Sequence, residues 1–285
     1  MRNIISVDWL KQHLNDPDLV VLNASQPENR NPENAHYYEK QIPGARFFDL
    51  NNVFSDKKNP LPHMLPDAVS FQKDCRHLGI FANSHIVVYD NNGVYMSPRI
   101  WWMFKVMGHK NVAVLNGGMP LWVKKGLATE AFKAGKYKQG DFLANFNPKA
   151  VSKAEHVLEN IQSGKALVMD ARSSGRFKGT EPEPRVGLPS GHIPKSVNLP
   201  FTEVLHEGKF KPREKLKELF RSLNPENNPV IFTCGSGVTA CILYLANELA
   251  GKIEKSVFDG SWTEWVQHKD HPIHQEINKK KNESS

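Results

Sequence analysis

Short runs of consecutive apolar residues recur along the chain, separated by stretches of helical period. Leu19-Val20-Val21-Leu22, Ile86-Val87-Val88-Tyr89, Leu167-Val168-Met169 and Val230-Ile231-Phe232 are unbroken by polar residues. A strand with one solvated face alternates, whereas a continuous apolar run marks a strand covered on both faces, as in a parallel sheet. Ser97-Pro98 predicts a helix N-cap followed by proline in the first turn, with Ile100–Met107 as the body and Gly108 as the stop. Thr239–Ala250 predicts a second helix, with Leu245 and Leu249 at helical spacing and Gly251 as its stop. Strands alternating with helices predict an α/β fold.

The pattern occurs twice. Leu19–Leu22 is echoed by Leu167–Met169, and Gln41-Ile42-Pro43-Gly44-Ala45 by His192-Ile193-Pro194-Lys195-Ser196. Ile86–Asp90 is echoed by Val230–Cys234, and Asn116-Gly117-Gly118 with Trp122 by Asp259-Gly260-Ser261 with Trp265. The order is the same in both halves, which predicts a tandem duplication of one domain. The expected division is 1–128, a linker at 129–148 without periodicity, and 149–285.

The length of 285 residues agrees with that division, at roughly 150 residues per domain. The longest apolar run, Ala240–Ala246, falls far short of the ~20 residues a membrane span needs. The first residues carry only a short apolar patch before Asp8 and Lys11, so no secretory core is expected and a cytoplasmic location is. Lys and Arg number 37 against 30 Asp and Glu, a net +7. The charge is scattered, and its one dense run, Lys279-Lys280-Lys281, sits in a polar tail. A nucleic-acid partner is therefore not expected, and a small anionic substrate is equally compatible with the charge. Three cysteines, Cys75, Cys234 and Cys241, are too few for a disulfide framework.

One of the three stands apart. In Val230-Ile231-Phe232-Thr233-Cys234-Gly235-Ser236-Gly237-Val238-Thr239-Ala240 a buried strand ends at Cys234, two glycines permit a tight loop, and a helix begins. That places a thiol at the carboxyl end of a parallel strand, where α/β sheets bind ligands. Loop N–H groups and a helix N-terminus there favour an anion, and hence a reactive thiolate. Cys241 falls on an apolar stretch of that helix, and Cys75 lies in a predicted helix near His77; both are expected to be packing residues. His268, His271 and His274 are spaced by three, but Pro272 interrupts any helix that would aim them together, and no metal is expected.

The loop Cys234–Ala240 resembles the active-site loop of the 3-mercaptopyruvate sulfurtransferases of the rhodanese superfamily. The resemblance extends through Ile42-Pro43-Gly44-Ala45, His63-Met64-Leu65-Pro66, Trp101-Trp102-Met103-Phe104 and Leu115-Asn116-Gly117-Gly118. In the second half it includes Asp170-Ala171-Arg172, Gly175–Arg185 and Gly191-His192-Ile193-Pro194. It implies two tandem rhodanese-like domains, each a parallel sheet flanked by helices, with catalysis only in the second. Asp90 stands in the first half where Cys234 stands in the second, and a carboxylate cannot carry a sulfane sulfur.

The resemblance further implies covalent sulfur transfer from 3-mercaptopyruvate to Cys234, and from there to a thiol, thioredoxin or cyanide, by a monomer without cofactor. Arg176 and Arg185 match the positions that hold the substrate's carboxylate and carbonyl, a task suited to guanidinium forks. Without the resemblance, pairing with Glu181 or Glu183 is the alternative. Arg172 is expected to be structural. Gly235, Gly237, Val238 and Thr239 complete the loop. Ser236 and His63 match two members of a Ser–His–Asp relay. Asn51 occupies the acid's place, and Asp49 and Asp56 are the substitutes nearby. A thiosulfate sulfurtransferase is the alternative enzyme, but its loop carries Arg and Lys where Gly235 and Ser236 stand. A cysteine phosphatase needs an arginine where Ala240 stands.

Overall fold

The computed structural model describes residues 2–29, 32–133, 135–251 and 253–276; Lys279–Lys281 lie outside them. Two five-stranded sheets, parallel throughout, dominate it. In the first the strands lie in the order Ile4–Ile5, Val112–Leu115, His85–Tyr89, Leu19–Asn23, Arg46–Phe47. In the second the order is Val151–Ser152, Lys255–Phe258, Val230–Thr233, Leu167–Asp170, Val197–Asn198. Position for position this is one topology, and each echo seen in the sequence falls on equivalent elements.

The continuous apolar strands are covered on both faces. Val21, Val87, Tyr89, Ala113 and Leu115 pack with Val7, Leu10, Met119 and Trp122 from the helices Val7–His13 and Gly118–Lys124. Val20, Leu22, Ile86, Val88, Val112 and Val114 point the other way, towards the helices Ala68–His77 and Ser97–Val106. The alternation is the strand period of two. In the second sheet Val168, Ile231 and Phe258 join Trp262 and Trp265, whereas Met169, Val230, Phe232 and Val257 face the helices Arg213–Leu223 and Ala240–Ala250. The inner faces of both halves form one continuous core. At its centre the helices Ser97–Val106 and Ala240–Ala250 pack on each other, with Trp101 and Tyr244 at 6.1 Å between ring centroids. These two helices are equivalent in the repeat.

Three local details add to the expectation. Ser97 is the first residue of its helix rather than its cap; its hydroxyl donates to Asp90 Oδ2 at 2.6 Å. Gly251 ends its helix in an extended conformation, φ 177°, which needs no glycine. The 129–148 segment, though mostly irregular, is strapped along the first half. Glu130–Ala131 pairs antiparallel with Lys40–Gln41, and Phe142 is buried against Phe71 and Phe104. No helix among the described residues is long and apolar enough to cross a membrane.

Candidate active site

The strand Val230–Thr233 delivers Cys234, 1% exposed, to the carboxyl edge of the second sheet, and the helix Ala240–Ala250 starts six residues later. Among the described residues the N–H groups of Gly235, Ser236, Val238 and Thr239 hydrogen-bond to no other group of the chain. Gly237 has φ +76°, and a Cβ there would lie 2.5 Å from the Asp259 carbonyl, so the turn requires glycine.

Ser261 anchors the loop. Its Oγ accepts from the N–H groups of Cys234 at 3.1 Å and Gly237 at 3.2 Å, and donates to the Phe258 carbonyl at 2.8 Å. Ser261 adopts φ +51°, the value its counterpart Gly118 has in the first half. A side chain is kept in a conformation suited to glycine, and that side chain ties the loop down. The Asp259-Gly260-Ser261 echo of Asn116-Gly117-Gly118 marked the place, but its role is visible only in three dimensions.

Cys75 and Cys241 are packing residues, as expected. Both are fully buried. Burial raises the Cys75 thiol well above its ordinary range and pushes Cys241 up to about 12, and the Cys241 thiol donates to the Gly237 carbonyl at 3.2 Å. Cys75→Ser and Cys241→Ser should each keep more than about half of the parent activity if they fold. A loss as complete as that of Cys234→Ser in either would refute a one-cysteine mechanism, with near-UV circular dichroism as the control for folding.

The two arginines border the residue after the thiol. A Cβ placed on Gly235 would lie 3.0 Å from Arg176 Nη2 and 4.0 Å from Arg185 Nη1. They are held differently. Glu183 accepts from Arg176 Nε at 3.1 Å and Nη2 at 2.6 Å, and from Arg172 Nη1 at 2.7 Å. Arg172 is wholly buried, paired with Asp170 at 2.6 Å and stacked over Trp262. It is structural, as expected, and it anchors the carboxylate that aims Arg176. The pairing of Arg176 with Glu183 thus joins a half-buried guanidinium to a carboxylate whose side chain is buried, and is not an exposed surface bridge. Among the described residues the one side-chain hydrogen bond of Arg185 goes to Thr263 Oγ1, at 3.5 Å, and no carboxylate pairs with it.

The first half closes the site. His63 Nδ1 lies 3.2 Å from Ser236 Oγ across the boundary between the halves. Burial first, then the charges of Arg99 and Arg185, lower His63 to about 4, so its imidazole is neutral at physiological pH. Among the described residues no carboxylate completes a triad. Asn51 Nδ2 donates to Glu28 at 2.8 Å, Asp49 accepts from the Asn52 N–H, and Asp56 from the Lys58 N–H. Among the described residues the pair stands without an acid. Tyr95 is a further neighbour that the sequence did not single out; burial first, and then the Cys234 sulfur, raise its phenol. A cavity of about 460 Å³ beside the pair is lined by His63, Arg185, Asn51 and Glu28.

The equivalent loop of the first half is filled by its own side chain. Asp90 Oδ2 accepts from the N–H groups of Tyr95, Met96 and Ser97 and from Ser97 Oγ, at 2.6–3.1 Å, and Oδ1 accepts from the Asn92 N–H at 3.0 Å. The histidine run does not converge. His268 and His271 stack at 4.4 Å, His271 lies against Trp265, and His274 exchanges backbone hydrogen bonds with His192. The described residues contain no group of three or more His, Cys, Asp or Glu side chains that could hold a metal ion.

Comparison with known proteins agrees with this geometry. The rhodanese-like domain matches twice, at residues 6–125 and 153–268. The chain is 41% identical over 274 residues to the 3-mercaptopyruvate sulfurtransferase of Mus musculus, covering 93% of this chain and 92% of that one. It is also 41% identical over 275 residues to the thiosulfate sulfurtransferase of Rattus norvegicus, with the same coverage. The crystal structure of SseA, a 3-mercaptopyruvate sulfotransferase from Escherichia coli, superposes with a TM-score of 0.80 at 35% identity, covering 92% of this chain and 99% of that one. The chain belongs to the rhodanese family, as a protein of two tandem rhodanese domains.

Proposed function

We propose that this protein is a sulfurtransferase that takes sulfur from 3-mercaptopyruvate onto Cys234 and passes it to a thiol. The Cys234 thiolate attacks the substrate sulfur, and a sulfur–sulfur bond forms as the carbon–sulfur bond breaks. The electron pair of the broken bond stays on carbon, and protonation yields pyruvate. The free N–H groups of the loop then face a persulfide, a bulky anion that they are suited to hold. A small thiol, thioredoxin or cyanide attacks the outer sulfur and regenerates the thiolate. The cysteine itself carries the sulfur, so the cycle needs no cofactor.

The observation that carries this reading is the pair of guanidinium groups beside Gly235. They are placed to grip the carboxylate and carbonyl of an α-keto acid whose sulfur has reached Cys234. Ser236 and the neutral His63 form a relay that moves the proton in this step. The first half supplies His63 and wall residues but no nucleophile, since Asp90 already occupies its own loop. We place the enzyme in the reducing cytoplasm, where its three free cysteines and its thiol acceptors are maintained.

Thiosulfate is the second reading, favoured by the rat relative. The loop argues against it, because Gly235 and Ser236 put no fixed charge beside the sulfur and a longer residue at 235 would crowd Arg176. Mass spectrometry after mixing with each donor, with pyruvate assayed in parallel, decides. The expected result is one added sulfur atom on the Cys234 peptide, pyruvate released in equal amount, and kcat/KM for 3-mercaptopyruvate more than about tenfold that for thiosulfate. Equal or better use of thiosulfate would reverse the assignment.

A further inference from the structure

Arg99 lies in the first turn of the helix Ser97–Val106 and is wholly buried. Its guanidinium reaches three groups around the site. Nη1 pairs with Asp259 Oδ1 at 2.7 Å, Nη2 donates to the His63 carbonyl at 2.6 Å, and Nη1 also lies 3.5 Å from the Gly237 carbonyl. The Trp102 ring lies against it, 4.6 Å from ring centroid to guanidinium carbon. Asp259, from the second half, uses its other oxygen to accept from the Leu65 N–H at 2.7 Å.

The stretch His63–Leu65 is thus held at both ends, by Arg99 at the His63 carbonyl and by Asp259 at the Leu65 N–H. On the opposite side Arg99 meets the carbonyl of Gly237, which directly follows Ser236. His63 itself has φ +63°, a conformation unfavourable for any residue with a Cβ, so its ring direction depends on what holds its backbone. We infer that Arg99 and Asp259 are positioning residues that set His63 against Ser236 across the boundary between the halves. This rests on the proposed His63–Ser236 relay.

The geometry explains why arginine is needed. A lysine ammonium is a single point of charge and cannot span a carboxylate and two carbonyls in fork geometry. Neither Arg99 nor Asp259 borders Gly235 or contacts Cys234, so donor binding is expected to survive their loss while the chemical step suffers.

The test compares Arg99→Lys and Asp259→Asn with Ser236→Ala and with the double variant Arg99→Lys/Ser236→Ala. Single-turnover persulfide formation is followed against 3-mercaptopyruvate concentration, and melting curves confirm folding. The expected result for Arg99→Lys is a maximal rate reduced roughly tenfold, with half-saturation by donor within about twofold of the parent. In the Ser236→Ala background the same substitution should cost less than about twofold, because the relay it aligns is already gone. A folded Arg99→Lys with the parental maximal rate, or the full loss repeated in the Ser236→Ala background, overturns the inference. If Arg99→Lys does not fold, Asp259→Asn alone and with Ser236→Ala is read by the same criteria. Failure of the relay itself has a separate signature, a Ser236→Ala variant at parental rate, and that result removes the inference with it.

Discussion

Cys234→Ser is expected to lower sulfur transfer by more than about a thousandfold while the protein still folds. A serine hydroxyl at neutral pH is not an anion, and oxygen cannot hold a transferable sulfur as a persulfide does. The fold should tolerate the change. The loop is tied down through the Cys234 N–H to Ser261, through Gly237, and through Thr263 at the Gly235 carbonyl, none of which uses the sulfur. The measurements are steady-state turnover with 3-mercaptopyruvate and the mass of the protein after exposure to donor. A folded variant that retains a hundredth of the parent rate, or that still gains a sulfur atom, places the chemistry elsewhere.

Arg185→Ala should be the most damaging change outside the nucleophile, with kcat/KM for 3-mercaptopyruvate down roughly thirty- to a hundredfold. Arg176→Ala should cost about tenfold. A charge-assisted hydrogen bond removed from a partly buried site typically costs about 1.5–3 kcal/mol. The two should differ because Arg176 shares its charge with Glu183 through two hydrogen bonds, whereas Arg185 pairs with no carboxylate among the described residues. An unshared cation does more for an incoming carboxylate than one already compensated. The ranking is checked by kcat/KM for each variant at low and high salt, and both losses should shrink with salt as charge is screened. Wild-type values in both variants would remove the arginines from the site, and a larger loss in Arg176→Ala would mean that Glu183 orients that fork without weakening it.

Much of the fold was legible because it is repeated. Leu19–Leu22 and Val230–Phe232 are continuous apolar runs, and only a sheet covered on both faces gives them a place. Cys234 was legible because glycines on both sides of Ser236 and a buried strand before it leave one geometry for the loop. Arg99 was not. It stands in Pro98-Arg99-Ile100-Trp101, and the one available signal was a charge inside an apolar helix segment, which a snorkelling surface arginine would show equally well. Pairing with Glu183 stood only as the alternative to substrate contact, and the aim it gives Arg176 was not legible until Arg172 was seen buried behind it. Asn51 left the acid of the relay open, and the answer depended on where the Asp49 and Asp56 carboxylates turn, which short-range sequence does not set. Phe142 hid in a stretch without periodicity, because a strap that follows another surface has no period of its own.

The pairing of equivalent helices, Ser97–Val106 on Ala240–Ala250, is the geometry of two like subunits meeting about a twofold axis. Two separate chains joined through such a face would part on dilution, and each time they parted His63 would leave Ser236. Here both partners are carried on one polypeptide, so the local concentration of one for the other never falls with that of the protein. A site assembled from two halves therefore stays assembled at any dilution the cell imposes. If chemistry runs at Cys234 alone, the first half, whose loop Asp90 already fills, is still needed because it is half of the joint.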